Sequence, residues 1–328
     1  MSTDQRSLLQ YHRRITSAMD HIQTHINNAT DEGLQLDAVA NAACMSPFHF
    51  HKVFKVVVGE TVADYTRRLK LERAAGLFFY FKQASVTDVA IALGFSSSQN
   101  LAKSFKNEFA MTPSDIKALA DVDHLMHLIQ HHRKNGNATT EQFSYSDTSH
   151  VTRWKSMSMK SAMSTCNQDT LNKLGPLQLF DLPARQVIYH RLIGPYGDGL
   201  QAASADLQAF CARNGIAVGN PVVINWDNPK ITEPAQCRTD VCLTLMGDCK
   251  TPSPYNIQTI VPQTHAIMRG LFDFSFDFGS VWQQLFDSLF SQGMTPADKP
   301  CYKVMHLKNS DPAKGIFDVS FCQAVETV

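Results

Sequence analysis

Two stretches of this chain, residues 46–65 and 96–116, repeat one pattern at a fixed distance. Six positions align at an offset of 51 residues, and two of them form an identical Phe-Lys pair. The aligned pairs are Phe50 with Leu101, Lys52 with Lys103, Phe54 with Phe105, Lys55 with Lys106, Thr61 with Thr112, and Asp64 with Asp115. Agreement at one offset indicates that a single supersecondary unit is used twice. Any fold proposed for this region has to accommodate that duplication.

The composition is that of a globular protein with room for two domains. The chain has 328 residues, of which 44% are hydrophobic and 18% are charged. Its polar N-terminus predicts no secretory signal, and its longest apolar run, AAGLFFYF, is too short to span a bilayer. Eight scattered cysteines without a CxxC pair indicate reduced thiols. We therefore expect a cytoplasmic protein with no metal site, no cofactor and no membrane partner.

Residues 11–119 read as a nearly continuous series of helices with short breaks. Three segments have the form of a capping box, which opens a helix: Thr61 to Asp64, Ser85 to Asp88, and Thr112 to Asp115. Ser46 followed by Pro47 predicts another helix start, and Gly94 predicts a helix end.

The second helix of each repeat has one apolar and one polar face. In the first copy, the inward stripe is Phe50, Val53, Phe54 and Val57, and the outward positions are Phe48, His51, Lys52 and Lys55. In the second copy, Leu101, Phe105 and Phe109 face inward, and the outward positions are Ser98, Gln99, Asn100, Lys103 and Lys106. Such a polar face is typical of any solvated helix, and it also suits the DNA major groove.

The connection between the copies favours the DNA interpretation. The linking helix has about 20 residues and is therefore roughly 30 Å long. This length is close to the roughly 34 Å between successive major-groove segments on one face of DNA. One chain could then present two reading helices to double-stranded DNA.

Residues 11–117 strongly resemble the AraC/XylS family of bacterial transcription regulators. The resemblance rests on SPFHFHKVFKVVVGETVADYTRRLKLERAA and on DVAIALGFSSSQNLAKSFKNEFAMTPSDIK. It implies a DNA-binding regulator, with RNA polymerase as a further partner. The base-facing positions that it implies are Phe48, His51, Lys52, Ser98, Gln99 and Lys103, with Asn100 beside them. Many relatives carry Arg where Lys52 and Lys103 stand, and because lysine lacks the bidentate fork of arginine, base readout at these positions is expected to be softer.

Composition changes after the helical region. Residues 135–170 contain 13 Ser and Thr residues with weak periodicity, which indicates a linker. Just before it, His124, His127 and His131 share a predicted helical face. That face suits a metal site or, as we prefer, a solvated helix end, because no carboxylate completes the set. We assign residues 1–120 to the DNA-binding domain, 121–173 to a linker and 174–328 to a second domain.

From Leu177 onward the pattern is that of strands. Six short β-branched or aromatic runs alternate with two helical segments, and Pro183 and Pro221 recur 79 residues later as Pro262 and Pro300. Each half reads strand, helix, strand, strand. The predicted fold is therefore multidomain, with an all-α double helix-turn-helix domain followed by an α+β domain of two pseudo-symmetric βαββ units.

Residues 174–326 resemble the gyrase-inhibitor-like effector-binding domain, on LPARQVIYHRLIGPYG and RTDVCLTL. The resemblance implies a cleft lined by aromatic rings that binds a small molecule, and the candidate rings are Tyr189, Tyr196, Trp226, Trp282 and Tyr302. Each ring could equally be part of the core. Lys303 stands where many relatives carry a pocket glutamate, which favours a neutral or anionic effector. Binding of a partner protein and, less favoured, hydrolysis of a small molecule are the alternatives.

Overall fold

The computed structural model describes residues 3–26, 31–119, 124–125, 127–129, 173–249, 253–273, 276 and 278–326. The predicted linker, 121–173, lies outside these ranges apart from 124–125, 127–129 and 173, as does His131. In the described ranges, no helix is both long and apolar enough to cross a lipid bilayer.

The N-terminal half consists of helices, as predicted. They are α1 (Thr3–His25), α2 (Leu36–Ala42), α3 (Pro47–Val58), α4 (Val62–Tyr80), α5 (Val86–Ala92), α6 (Ser98–Phe109) and α7 (Pro113–Ala118). Helices α2 and α3 form the first helix-turn-helix unit, and α5 and α6 form the second. The long α4 connects the two units.

Each unit has its own apolar core, and α4 contributes to both. The first core contains Phe50 and Phe54 of α3 together with Tyr65 of α4. The second core contains Phe105 of α6 together with Phe78 of α4. Leu125 and Ile129, which the sequence analysis placed in the linker, are buried in this second core.

The helix boundaries follow the local signals. The Thr61, Ser85 and Thr112 hydroxyls all accept hydrogen bonds from backbone amides of the first turn, and Thr112 with Asp115 forms a complete capping box. Ser46 precedes α3 as predicted, but its side chain makes no capping hydrogen bond. The chain leaves α3 through Gly59 at φ 86° and leaves α6 through Ala110 at φ 55°. Helices α3 and α6 therefore both end in the left-handed conformation, for which only the first copy has glycine.

The C-terminal half is a ten-stranded antiparallel sheet with two helices. The elements in chain order are β1 (Lys173–Leu174), β2 (Gln178–Leu182), β3 (Arg185–Ile193), α8 (Leu200–Arg213), β4 (Val218–Asn225), β5 (Arg238–Leu245), β6 (Asn256–Ile260), β7 (Gln263–Asp273), α9 (Phe278–Ser291), β8 (Thr295–Pro296), β9 (Cys301–Met305) and β10 (Ile316–Glu326). Strands β3, β4 and β5 with α8 form one βαββ unit, and β7, β9 and β10 with α9 form the other. The units join where β4 pairs with β9, which confirms the predicted duplication.

The strands divide their side chains between two faces. Helix α8 covers Ile188 and Leu243 of the first unit, and α9 covers Phe321 of the second. The opposite face, called here the helix-free face, carries a separate cluster that includes Tyr189 and Tyr302. Two edge strands, β2 and β6, which pair with β7 and β3, were not predicted from the sequence.

Candidate functional site

The outward face of α3 is exposed as the sequence analysis expected. Phe48, His51, Lys52 and Lys55 are all exposed, and the Phe48 side chain is 75% accessible. The Lys52 Nζ lies 4.2 Å from the centre of the Phe48 ring, so the cation rests on the ring face. An exposed aromatic ring with an adjacent cation can contact a thymine methyl group and a neighbouring base or phosphate.

The outward face of α6 is more polar. Gln99, Lys103 and Lys106 are exposed, and Ser98 is half-buried. Asn100 is also exposed, but its amide donates to the Ser96 hydroxyl at 2.8 Å. Asn100 therefore spends part of its hydrogen-bonding capacity on the start of its own helix, which leaves Gln99 and Lys103 as the freer side chains.

Sequence reasoning missed Val56, which is 85% exposed on α3 near the outward positions. Its counterpart in the repeat is Asn107, which is also exposed. The available signal was an apolar residue outside the inward stripe of an amphipathic helix. The first reading helix thus offers apolar contacts that the second one lacks.

The six candidate effector residues do not lie together. Tyr189, Tyr302 and, at the margin, Trp226 belong to the cluster on the helix-free face. Trp282 of α9 packs edge-on against Phe321 at 5.1 Å, on the helix-bearing face. Lys303 is on that same face, because its Nζ lies 5.0 Å from the Phe278 ring of α9.

Lys303 is in an apolar setting. Burial lowers the pKa of its amine, and the nearby Cys301 thiol opposes that change. In the part of the chain that the structure describes, no carboxylate lies within ion-pair distance of Lys303. A site that includes this side chain is therefore better matched to an anionic or neutral polar ligand than to a cation.

Tyr196 is joined to the boundary between the domains. Its hydroxyl donates to the Asp227 carbonyl at 2.5 Å and accepts from the Asp227 amide at 2.9 Å. The Asp227 carboxylate in turn accepts hydrogen bonds from the Nε and Nη2 of Arg238. A candidate effector residue is thus two contacts away from a buried guanidinium.

Arg238 bridges the effector domain and the helical domain. Its Nη1 donates to the Tyr65 hydroxyl of α4 at 2.9 Å and to the Gln23 side chain of α1 at 3.0 Å. The Arg238 side chain is only 3% exposed. Tyr65 packs edge-on against Phe54 of the first reading helix, with ring centres 5.5 Å apart. The contacts therefore form a continuous series from Tyr196 to α3.

A second buried arginine holds α1 against the sheet. The Arg191 Nη1 lies 2.8 Å from Asp20 of α1, while its Nε and Nη2 donate to Asp240. Asp20 also accepts a hydrogen bond from the Tyr189 hydroxyl. Burial raises the pKa of Asp20, and the Arg191 guanidinium opposes that rise. Tyr189, predicted to bind effector, is therefore engaged in domain docking.

The second helix-turn-helix unit is also contacted by the effector domain. Thr232 donates to Glu72 of α4 at 2.9 Å, and Ile231 is buried in the second helical core. Tyr80, at the end of α4, stacks on Phe290 of α9 with ring centres 5.5 Å apart. The loop between β4 and β5 therefore touches the helix that connects the two reading units.

Sequence reasoning missed both bridging arginines. The signal that could have found them is charge inside strands that are otherwise apolar, since Arg238 and Asp240 lie in RTDVCLTL and Arg191 lies in VIYHRLIG. Such charges are rarely buried without partners. The identity of those partners requires the tertiary structure.

Comparisons with known proteins match both halves of the chain. A helix-turn-helix domain family model matches residues 39–118, and a model described as GyrI-like small molecule binding domain matches residues 176–269. The DNA gyrase inhibitor of Yersinia enterocolitica is 26% identical over 45% of this chain and 96% of that protein. The solved EcmrR-DNA complex in EcmrR-RPo is 12% identical, with a TM-score of 0.41, over 84% of this chain and 99% of that chain.

The probable transcription factor PqrA of Proteus vulgaris matches the helical region. It is 33% identical over 87 residues, which are 26% of this chain and 70% of that protein. Together with the duplicated helix-turn-helix units and the two βαββ units, this likeness identifies the protein's class. The chain belongs to the AraC family of helix-turn-helix transcription regulators, and its C-terminal half carries a GyrI-like small-molecule binding domain.

Proposed function

We propose that this regulator reads two successive major-groove segments of double-stranded DNA, the first with α3 and the second with α6. The side chains that contact bases are Phe48, His51, Lys52, Ser98, Gln99 and Lys103, and Lys55, Asn100 and Lys106 lie beside them. The exposed faces of both helices and the 19-residue α4 between them support this proposal. As a transcription regulator, the protein would also act together with RNA polymerase.

The effector in this proposal is a neutral or anionic small molecule that binds near Lys303 and Trp282. Burial of an ammonium group without a carboxylate partner is unfavourable, and an anionic or polar ligand would relieve that cost. Hydrolysis of the ligand is not part of the proposal, because such chemistry needs a carboxylate poised beside the ligand. Tyr189, Trp226 and Tyr302, on the other face of the sheet, would not touch the same molecule.

The effector domain would influence DNA binding through Arg238. The observation that carries this proposal is the continuous series of contacts from Tyr196 through Asp227, Arg238 and Tyr65 to Phe54. Because the guanidinium is buried, any shift of Asp227 would leave a charge or a hydroxyl without its partner. Movement of α4 and α3 together with Asp227 would avoid that free-energy penalty.

Thermodynamic reciprocity allows this route to be tested before the effector is identified. If the effector domain influences α3, DNA bound to α3 must influence the effector domain. The experiment is hydrogen–deuterium exchange of the full chain with and without an operator selected from random DNA. We expect the amides of residues 226–238 to exchange more slowly when the operator is bound, and Arg238→Gln to remove this effect.

Arg269→Gln is the matched control, since Arg269 also pairs with an aspartate but does not touch the helical domain. It should retain the DNA-dependent protection. Unchanged exchange of residues 226–238 in the wild-type protein, or equal protection in Arg238→Gln, would contradict coupling through Arg238.

A further inference from the structure

The two halves of the effector domain each contain an Arg–Asp pair of the same design. Arg191 on β3 and Arg269 on β7 stand 78 residues apart, each in the strand that precedes the helix of its unit. Arg191 donates its Nε and Nη2 to Asp240 at 2.7 and 2.8 Å. In Arg269 the same two nitrogens donate hydrogen bonds to Asp318 at 2.8 and 2.5 Å. Strand alternation places both arginines on the helix-free face.

The registers of the two pairs differ by two residues. Arg191 lies directly opposite Asp240 on the neighbouring strand. Arg269 lies opposite Ser320, so Asp318 reaches it diagonally. The bidentate pairing is nevertheless the same, and in both halves it leaves Nη1 as the nitrogen that does not face the intradomain aspartate.

In the first half, the third nitrogen, Nη1, contacts helix α1 of the helical domain. The Arg191 Nη1 forms an ion pair with Asp20 of α1, and the Arg191 side chain is only 1% exposed beneath that helix. Nearby, Asn256 of β6 binds the Arg13 carbonyl and the Ser17 hydroxyl of α1. The first half thus uses one guanidinium to hold its own aspartate and the carboxylate of a docked helix.

In the second half, the corresponding arginine lines an open groove. The Arg269 side chain is 47% exposed, and within the described residues its Nη1 has no carboxylate partner. The groove has a volume of about 540 Å³, and its lining includes Lys173, Leu174, Leu271 and Asn309. Lys173 has no ion-pair partner in the described ranges either, and Asp318 is shared between Arg269 and Asn309. The groove therefore carries uncompensated positive charge.

We propose that this groove docks an acidic side chain presented by a helix of a partner protein, as Arg191 docks Asp20. The carboxylate would pair with the Arg269 Nη1 and with Lys173, while the apolar part of the helix would cover Leu271, which lies directly opposite Lys173. The α1 helix of the same chain is not the occupant, because its Asp20 is held by Arg191. Since the groove is open to solvent, binding is weak and falls with rising salt.

The test uses a labelled peptide of residues 3–25, which is the helix that this sheet already docks on its other half. Binding of the peptide to the full-length protein is followed by fluorescence anisotropy at low salt. We expect saturable binding that weakens about fivefold in Arg269→Gln, in Lys173→Gln and with an Asp20→Asn peptide. Arg213→Gln, on the exposed end of α8, is the control and should bind the peptide as the wild type does.

Three outcomes would overturn the proposal. The first is the absence of saturable binding at millimolar peptide, and the second is binding that survives Arg269→Gln, which would place the peptide elsewhere. The third is displacement of the peptide by benzoate at concentrations no higher than the peptide's own dissociation constant. That result would make the groove a site for small organic acids and not for a protein helix.

Discussion

The helical repeat and the sheet repeat of this chain have diverged in different ways. In the helical half, both copies expose an equivalent face, on α3 and α6, and both bury the same aromatic positions, Phe54 and Phe105. In the sheet half, both copies keep an Arg–Asp pair, but the helical domain covers only the first. Arg191 is buried beneath α1, whereas Arg269 remains half-exposed.

This contrast separates what a repeat must keep from what it can change. The two helix-turn-helix copies differ in outward residues such as Phe48 and Gln99, while their buried aromatic positions agree. The two βαββ copies differ in what lies on them, because α1 packs over Arg191 and leaves Arg269 half-exposed. The same guanidinium pairing should therefore contribute very differently to the free energy of unfolding in the two halves, because only the first pair is buried.

The largest expected effect concerns the two arginines. Arg191→Gln should lower the free energy of unfolding by about 3–5 kcal/mol, because it leaves the buried Asp240 without its cation. Arg269→Gln removes a half-exposed pair and should cost no more than about 1 kcal/mol. Urea denaturation of the full chain, followed by tryptophan fluorescence, measures both. Equal losses in the two variants would break the comparison between the halves.

A smaller effect is expected from the reading helices. Gln99→Ala and Lys103→Ala should each weaken binding by about 1–3 kcal/mol at one base pair and so relax the sequence preference. The measurement is affinity for a set of operators that carry single base-pair changes. Lys308→Ala, on the surface of the effector domain, serves as the control. A uniform loss of affinity for all sequences would instead make these residues phosphate contacts.

The smallest effect compares the ends of the two reading helices. Both end in the left-handed conformation, which is costly for any residue with a side chain. Ala110→Gly should therefore raise the free energy of unfolding by about 1 kcal/mol, and Gly59→Ala should lower it by about the same amount. Thermal unfolding of both variants checks the opposite signs. A destabilising Ala110→Gly would show that the two helix ends are not equivalent.

The helical fold was predictable because its signals are local. A capping box such as Thr112 with Asp115 lies within four residues, and the inward stripe of α6 repeats within one helix. The two βαββ units were predictable from strand-like runs, which are local signals, and from the recurrence of prolines at one offset between the halves. The edge strands β2 and β6 were not predicted, because their short sequences, QLFDL and NIQTI, do not alternate apolar and polar residues.

The docking of the two domains could not be predicted from local patterns. Arg238 meets Tyr65 across 173 positions, and Arg191 meets Asp20 across a similar interval. A charged residue inside an otherwise apolar strand indicates that an oppositely charged or polar partner exists, but the sequence does not identify that partner. For the same reason, the sequence grouped Tyr189 with Lys303 as effector residues, although strand alternation and domain docking separate them.

The central claim is that one chain presents two reading helices to two successive major-groove segments. Hydroxyl-radical footprinting of the full-length protein on a selected operator tests it most directly, combined with sedimentation to count the chains on the DNA. The full chain is preferable to residues 1–120 because Leu125 and Ile129 belong to the second helical core. The account predicts two protected segments about one helical turn apart with a single chain bound. A single protected segment per chain would contradict it.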